Sequence, residues 1–187
     1  MIRMATRGDV PAILDIYAPY ICETAITFEY DVPSLEAFME RFDAISARYP
    51  WIVWEENGKV LGYAYASECF SRAAYAWDVD MSIYLHMDAR GRKIGPKLYG
   101  CLEEMLRIRG YHNLYALITA DNIASARFHE HRGYELLGNL KQSGFKFARW
   151  YDVLWYGRRL CPAENPGSAP DKFECRVEDR AIMERYS

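Results

Sequence analysis

The most constraining feature of the sequence is a change of hydrophobic period between residues 85 and 95. Before it, residues 75–85 alternate polar and apolar side chains, as a strand with one buried face does. After it, residues 95–109 carry apolar side chains at helical spacing and end at Gly110, and residues 114–119 form a short apolar run. This strand–helix–strand order predicts a pair of parallel strands joined by the helix.

Further predicted elements lie on both sides of this unit. Towards the N-terminus they are a helix from Thr6 or Asp9 to about Tyr20, a helix from Pro33-Ser34, and strands 51–55 and 60–67 joined through Asn57-Gly58. Towards the C-terminus they are helix 122–132, closed by Gly133, and strands 134–140 and 145–156 joined at Gln142-Ser143-Gly144. The order α-α-β-β-β-α-β-α-β-β predicts an α/β (α+β) fold with one mixed sheet flanked by helices.

A shift in composition near residue 161 predicts two regions. Residues 1–160 form the globular domain, and residues 161–187 form a C-terminal extension. The extension begins with a run rich in proline and small residues over 162–170, which predicts a linker. Residues 173–187 can form a short peripheral helix.

Charge and cysteine usage exclude several classes of protein. The 187 residues carry a net charge of -3 without a long basic run, which argues against nucleic-acid binding. No segment reads as a signal peptide or a membrane span, so a cytoplasmic enzyme without membrane partners is expected. The five scattered cysteines contain no Cys-x-x-Cys pair, so no metal site is predicted and free thiols are the simplest interpretation.

The turn from Arg90 to Gly95 lies between a predicted strand and the head of a predicted helix. The first turn of a helix offers unpaired backbone N–H groups and the positive end of the helix dipole, and glycine lets a phosphate approach the backbone. The turn fits neither the P-loop nor the dinucleotide fingerprint. It is therefore a candidate pyrophosphate site, with a charged helix start as the alternative.

This turn resembles the pattern Gln/Arg-x-x-Gly-x-Gly/Ala of the GNAT N-acetyltransferase superfamily, in which it binds the pyrophosphate of acetyl-CoA. Arg90 fills the first position, Gly95 fills the last, and Lys93 replaces the middle glycine. Residues 122–134 resemble the family's Asn-x-x-Ser/Ala…Gly-Phe/Tyr segment, whose asparagine contacts the pantetheine arm; the alternative is that Asn122 only caps its helix.

Over residues 2–155 the chain is similar to one subgroup, the phosphinothricin and methionine sulfoximine acetyltransferases. The strings that carry the resemblance are Thr27-Phe28-Glu29, Tyr49-Pro50-Trp51, Gly62-Tyr63-Ala64-Tyr65-Ala66, Arg72-x-Ala74-Tyr75-x-Trp77 and Arg149-Trp150-Tyr151-Asp152-Val153. The resemblance implies a splayed sheet of six to seven strands, with acetyl-CoA as cosubstrate. The residues expected to contact it are Ile83, Tyr84, Leu85, Arg90, Gly91, Arg92, Lys93, Ile94, Gly95, Asn122 and Ser125.

For the chemistry, an amine attacks a thioester only as the free base, so a base for the amine and an acid for the thiolate are needed. Asp80 is the candidate base, at a position where the subgroup has glutamate; the alternative is a solvated strand carboxylate like Asp78. His129 is the candidate acid, seven residues after Asn122 where many family members have tyrosine. A half-buried structural histidine is the alternative.

Arg72 is the candidate for gripping the carboxylate of an amino-acid-like amine. Pocket walls implied by the resemblance are Phe28, Glu29, Tyr75 and Trp77, with Lys146, Arg149 and Trp150 as further candidates. Two other functions stay open: acetylation of a polyamine, an aminoglycoside or a protein N-terminus, and acyl-CoA binding without catalysis. The subgroup commonly dimerises, and the aromatic final strands would permit a homodimer.

Overall fold

A computed structural model describes residues 1–162 and 168–187. Within these ranges the chain forms one seven-stranded sheet with helices packed on both faces. The strands are β1 (Ile2–Met4), β2 (Trp51–Glu56), β3 (Lys59–Glu68), β4 (Asp78–Leu85), β5 (Asn113–Thr119), β6 (Glu135–Lys146) and β7 (Arg149–Arg159). The helices are α1 (Val10–Glu23), α2 (Leu35–Ser46), α3 (Ile94–Ile108), α4 (Ile123–His131) and α5 (Val177–Tyr186).

The strand order in the sheet is β1-β2-β3-β4-β5-β7-β6. β4 and β5 are parallel and are joined by α3, whereas the other neighbouring strands are antiparallel. The predicted mixed sheet, its parallel pair and its flanking helices are therefore confirmed.

The sheet splays open between its two parallel strands. Their register runs from Asp78 opposite Asn113 only to Asp80 opposite Tyr115. β4 then continues to Leu85 and β5 to Thr119 without further pairing to each other. The splay leaves a wedge whose edges carry main-chain N–H and C=O groups.

Two apolar clusters hold the layers together, one on each face of the sheet. On one face, α3 and α5 pack against the central strands through side chains such as Leu98, Leu102 and Ile182. On the other face, α1 and α2 pack through side chains such as Ile13 and Phe42. The alternation along β4 follows from this division, because Val79 and Met81 face α3.

The start of β4 and the presence of β1 differ from the sequence-based expectation. β4 begins at Asp78 rather than residue 75, because residues Ala73–Tyr75 form a 3-10 turn. β1 was not predicted at all: its three residues are too few to show an alternation, and they become a strand by pairing with β2.

The predicted turn at Gln142-Ser143-Gly144 is wrong. β6 runs through these residues with an irregularity between Leu140 and Gly144, and the chain reverses at Phe147-Ala148, whose φ angles are +49° and +58°. Gly144 is not a turn residue but leaves room for the Phe28 ring, because a Cβ at this position would lie 2.2 Å from that ring.

The C-terminal extension returns to the domain. The predicted linker lies largely outside the described residues, since 163–167 are not covered. Beyond it, α5 packs on α3 and β1, and its buried Asp179 pairs with Arg109 at the end of α3. The hydroxyl of Ser187 accepts a hydrogen bond from the Ile2 N–H at 2.7 Å, so the two chain ends meet.

Candidate active site

The turn from Arg90 to Gly95 leads directly into α3. Gly91 has φ +76°, and Lys93, the residue before the helix, has φ +62° and ψ +15°. This left-handed geometry costs a residue with a side chain roughly 1–2 kcal/mol, which is why glycine usually occupies it. Lys93 thus holds a backbone conformation that glycine usually occupies, and adds an ammonium group.

The first turn of α3 presents few donors but lies close to the sheet. Pro96 has no N–H, so Lys93, Ile94 and Gly95 supply the backbone donors at this helix start. A Cβ at Gly95 would lie 3.6 Å from the Leu85 side chain. A ligand can therefore approach the α3 backbone directly above the open edge of β4.

A cleft of about 500 Å³ extends from this turn into the wedge. Nine of the eleven residues predicted to contact the cofactor line it: Ile83, Leu85, Arg90, Gly91, Lys93, Ile94, Gly95, Asn122 and Ser125. The other two point elsewhere. The Tyr84 ring packs on the opposite face against Tyr17 and Tyr63, and Arg92 turns outward to Glu56 at 2.6 Å.

Sequence reasoning missed the contribution of α1 to the cleft. The Tyr20 hydroxyl donates to the Leu85 carbonyl at 2.6 Å and accepts from the Leu85 N–H at 3.3 Å. Arg90 lies over the Tyr20 ring, 5.2 Å from its centroid. The Tyr20 hydroxyl therefore pairs both main-chain groups of Leu85, which the splay leaves without partners on β5. No local signal marks this role, because Tyr20 and Leu85 are 65 residues apart in sequence.

The direction of the β4 main-chain groups follows from one hydrogen bond. The His86 N–H donates to the Leu61 carbonyl, so alternate residues from His86 backwards face β3, and Leu85 and Ile83 face the wedge. The N–H and C=O groups of Leu85 are both hydrogen-bonded to the Tyr20 hydroxyl. The Ile83 N–H is the next donor along the same open edge.

Asn122 and Ser125 lie at the head of α4, on the far side of the cleft. The Asn122 side-chain oxygen accepts from the Ser125 N–H at 3.2 Å, so this asparagine does cap its helix. It also lines the cleft. The helix cap is therefore present, and the contact of Asn122 with the pantetheine arm stays a prediction.

Asp80 is the last residue of β4 that pairs with β5. Burial raises the pKa of its carboxyl to about 7, and the Met81 N–H offsets part of that rise. Three residues further along the strand, about 10 Å away, Ile83 enters the cleft. Asp78 on the same face differs, because its carboxylate accepts from the Asn113 side chain at 2.8 Å.

His129 is buried behind the cleft rather than within it. Its Nδ1 lies 2.8 Å from the Ser125 carbonyl, which requires an N–H there, and its Nε2 accepts from the Tyr99 hydroxyl at 2.8 Å. Burial lowers the pKa of the imidazole, so the ring is neutral. The Ser125 hydroxyl lies 3.4 Å from Nδ1 and stands between the histidine and the cleft.

The residues predicted to bind the amine fall into separate groups. Arg72 and Tyr75 line a second cavity of about 620 Å³, together with Asp78 and residues 170–172 of the extension. Phe28 packs near Tyr151 on the other side of the sheet opening. The remaining two predicted wall residues are Glu29, which accepts from Arg41 and Tyr17, and Trp77, which is half-buried.

Over 1–162 and 168–187, no group of three or more histidine, cysteine, aspartate or glutamate side chains is arranged to hold a metal ion. Over the same ranges, no helix has the length and apolar character needed to cross a membrane.

Comparison with known proteins identifies the fold and the family. The family description "Acetyltransferase (GNAT) domain" matches residues 2–155. The phosphinothricin N-acetyltransferase of Streptomyces viridochromogenes is 32% identical over 157 residues, covering 84% of this chain and 86% of the relative. The L-methionine sulfoximine/L-methionine sulfone acetyltransferase of Salmonella typhimurium is 32% identical over 173 residues, covering 91% and 98%.

A solved structure agrees with these relatives. The crystal structure of a phosphinothricin acetyltransferase from Sinorhizobium meliloti, in complex with acetyl-CoA, superposes with a TM-score of 0.83. It is 34% identical and covers 96% of each chain. From the family match, the identities and the shared fold, the chain belongs to the GNAT acetyltransferase family.

Proposed function

We propose that the chain transfers an acetyl group from acetyl-CoA to the primary amine of a small amino-acid-like substrate of the phosphinothricin or methionine sulfoximine type. The amine attacks directly in a ternary complex. The observation that carries the proposal is the carboxyl of Asp80, whose pKa burial raises to about 7 at the point where β4 parts from β5. The names of the relatives support the substrate class.

As a GNAT acetyltransferase, the chain takes its acetyl group from acetyl-CoA. The residues that would hold this cosubstrate are those of the cleft. The amides of Ile94 and Gly95, with Lys93 and Arg90, suit a pyrophosphate. Asn122 and Ser125 suit the arm that leads from it into the wedge.

The reaction forms one C–N bond and breaks one C–S bond. Asp80 takes the proton of the ammonium, directly or through a bridging water, because a base with a pKa near 7 is half ionised at neutral pH. The Ile83 N–H faces the wedge and donates to the thioester oxygen as negative charge develops there. Alignment of amine and thioester supplies much of the remaining rate.

The leaving thiolate needs a proton. His129 reaches the cleft through the Ser125 hydroxyl, which is 3.4 Å from Nδ1. The Ser125 hydroxyl lines the cleft and donates a hydrogen bond to the thiolate, which takes its proton from solvent in the open cleft; the neutral His129 holds Ser125 in place through its Nδ1–H bond to the Ser125 carbonyl. Direct contact of the imidazole with the thiolate is not part of this scheme, because the ring is 3% exposed.

Arg72 supports recognition of an anionic group on the amine. It is exposed in the second cavity, beside the Tyr75 ring. Asp78, on the face and strand that also carry Asp80, lines the same cavity. A bound carboxylate at Arg72 would therefore leave the amine on the Asp80 side of the sheet.

A panel of amines tests the proposal. Purified protein with acetyl-CoA is expected to release free thiol when methionine sulfoximine or phosphinothricin is added, because both carry a primary amine and an anionic group. The thiol is followed with a chromogenic disulfide. Turnover with spermidine or an aminoglycoside but with no amino acid would overturn the substrate class.

Replacing Lys93 separates backbone strain from charge. Both Lys93→Gly and Lys93→Ala are expected to weaken acetyl-CoA binding about fivefold, because each loses one charge beside the pyrophosphate. Only the glycine variant relieves the left-handed strain, so it should be the more stable of the two. Calorimetry at low and high salt measures the affinity, and unchanged binding by either variant would contradict a charge contact.

We also propose a homodimer through the open face of the C-terminal half of the sheet. Leu117 and Leu137 are 58% and 52% exposed there, beside Tyr115 and Trp155. A dimer would cover this patch. Light scattering is expected to give twice the mass of one chain, and the Leu117→Lys/Leu137→Lys double variant to give a single-chain mass; a monomeric wild type would refute the dimer.

A cytoplasmic location is proposed on the state of the cysteines. All five are free thiols in the structure, which suits a reducing compartment.

A further inference from the structure

Lys146, at the end of β6, is a buried charge whose ammonium has no carboxylate partner among the residues that the structure describes. Its side chain is 2% exposed. The Nζ donates to the carbonyls of Ile21, Thr24 and Thr27 at 2.7, 2.8 and 2.9 Å. These three bonds use all three donors of the ammonium, so its hydrogen bonds go to backbone oxygens alone, and the Phe147 ring centroid lies 5.2 Å from Nζ.

The site favours a cation for a local reason. Ile21 and Thr24 lie at the C-terminal end of α1, where carbonyls lack helical partners and the helix dipole is negative. Removing an ammonium from water is nevertheless costly, and an apolar residue would avoid that cost. Lys146 therefore does more here than fill space, because its ammonium binds three carbonyls that an apolar side chain could not bind.

The segment that Lys146 gathers, residues 24–29, borders the cofactor cleft and carries two of the residues predicted to wall the amine pocket. Ile26 lines the cofactor cleft, and Phe28 and Glu29 are the predicted walls of the amine pocket. A second bond, from the Thr119 hydroxyl at the end of β5 to the Ala25 carbonyl, ties the same segment to the far edge of the wedge. Lys146 and Thr119 both lie in the C-terminal half of the sheet, so these bonds tie the segment that follows α1 to that half.

We propose that Lys146 is a positioning residue for the acetyl transfer. Its ammonium holds residues 24–29 in the shape that sets Ile26 against the cofactor and Phe28 with Glu29 against the amine. The inference rests on the proposed function for the amine side only. The contact of Ile26 with the cleft does not depend on which amine is acetylated.

The experiment compares Lys146→Met with Lys141→Met. Methionine keeps the length of the side chain and removes its three hydrogen bonds, whereas Lys141 lies on the same strand, is 73% exposed and pairs with Asp152. Three quantities are measured: amide hydrogen exchange of residues 24–29, the Kd for acetyl-CoA by calorimetry, and steady-state kinetics.

For Lys146→Met we expect faster exchange across residues 24–29, a Kd for acetyl-CoA raised about fivefold, and an amine KM raised about tenfold with kcat within about twofold. Lys141→Met should leave all three unchanged. A merely structural role would lower Tm without moving Kd or KM. Wild-type exchange or wild-type affinity in a folded Lys146→Met variant would overturn the proposal.

Where Lys146→Met does not fold, Thr119→Val carries the test. It removes only the bond to Ala25, and the same changes in exchange and Kd are expected at about half the size on a logarithmic scale. Unchanged exchange and Kd in this variant would count against the proposal. A wild type that binds acetyl-CoA but acetylates none of the amines would instead refute the proposed function, with the exchange and Kd comparisons still decisive for Lys146.

Discussion

Asp80→Asn is expected to lower kcat/KM for the amine by about 10²–10⁴-fold. Asparagine keeps the shape of the side chain and cannot accept the proton of the ammonium. Acetyl-CoA binding should be unaffected, because Asp80 lies about 10 Å before the cleft residue Ile83 along β4. Kinetics at saturating acetyl-CoA, with a separate Kd, measure both effects.

The pH profile gives the same residue a second signature. A base works when deprotonated, so wild-type kcat/KM should rise with pH through about 7, and this limb should vanish in Asp80→Asn. The stability of the fold changes in the opposite direction, because it falls as pH rises. Because the folded pKa lies above the ordinary value of 3.8, the carboxylate destabilises the fold once pH exceeds that value, and fully above 7. Asp80→Asn should therefore raise Tm at pH 8 but not near pH 3.

Two neighbouring substitutions are controls. Asp78→Asn should keep the limb near pH 7, because the Asp78 carboxylate is already bound by Asn113. Asp80→Glu keeps a base and extends it by about 1.5 Å, and it should retain the limb with an activity at or above that of the wild type. Undiminished turnover in Asp80→Asn would rule out the aspartate as the base.

Asp179→Ala is expected to lower the free energy of unfolding by about 3–5 kcal/mol. Asp179 is fully buried, pairs with Arg109, and accepts from the Arg176 N–H at the head of α5. Alanine leaves the Arg109 guanidinium, which is 6% exposed, without its counter-charge. Urea or guanidinium denaturation measures the loss.

A second ion pair across the same α3–α5 interface provides the control. Arg185 pairs with Glu104 at 2.7 Å, but the arginine is 59% exposed. Glu104→Ala should cost less than about 1 kcal/mol, because solvent screens such a pair. Equal costs for the two alanine variants would mean that the extension is not anchored by Asp179.

Local patterns in the sequence were enough for most of the secondary structure. α3 spans Ile94–Ile108, close to the predicted range 95–109. The prediction succeeds because the apolar stripe of this helix and Gly110 at its end are local features of the sequence. The Asn57-Gly58 turn is local in the same sense. The parallel pair followed from the order of elements alone.

The sequence alone does not predict features that depend on contacts between residues far apart in the chain. Gly144 looked like a turn residue, but the ring of Phe28 occupies the space where its Cβ would be. His129 matched a family position, yet the bond to Tyr99 from a different helix draws it behind Ser125. Asp78 and Asp80 look equivalent in the sequence, and only the structure shows that the Asn113 side chain donates a hydrogen bond to Asp78.

The incomplete sheet has a thermodynamic consequence. Three residue pairs join its two halves at the parallel strands, and beyond them each strand edge offers N–H and C=O groups that an ordinary sheet would have paired. A ligand with amide groups along its length can meet them as an additional strand would. We expect a cosubstrate bound there to complete the sheet and to stabilise the folded chain against unfolding by mass action.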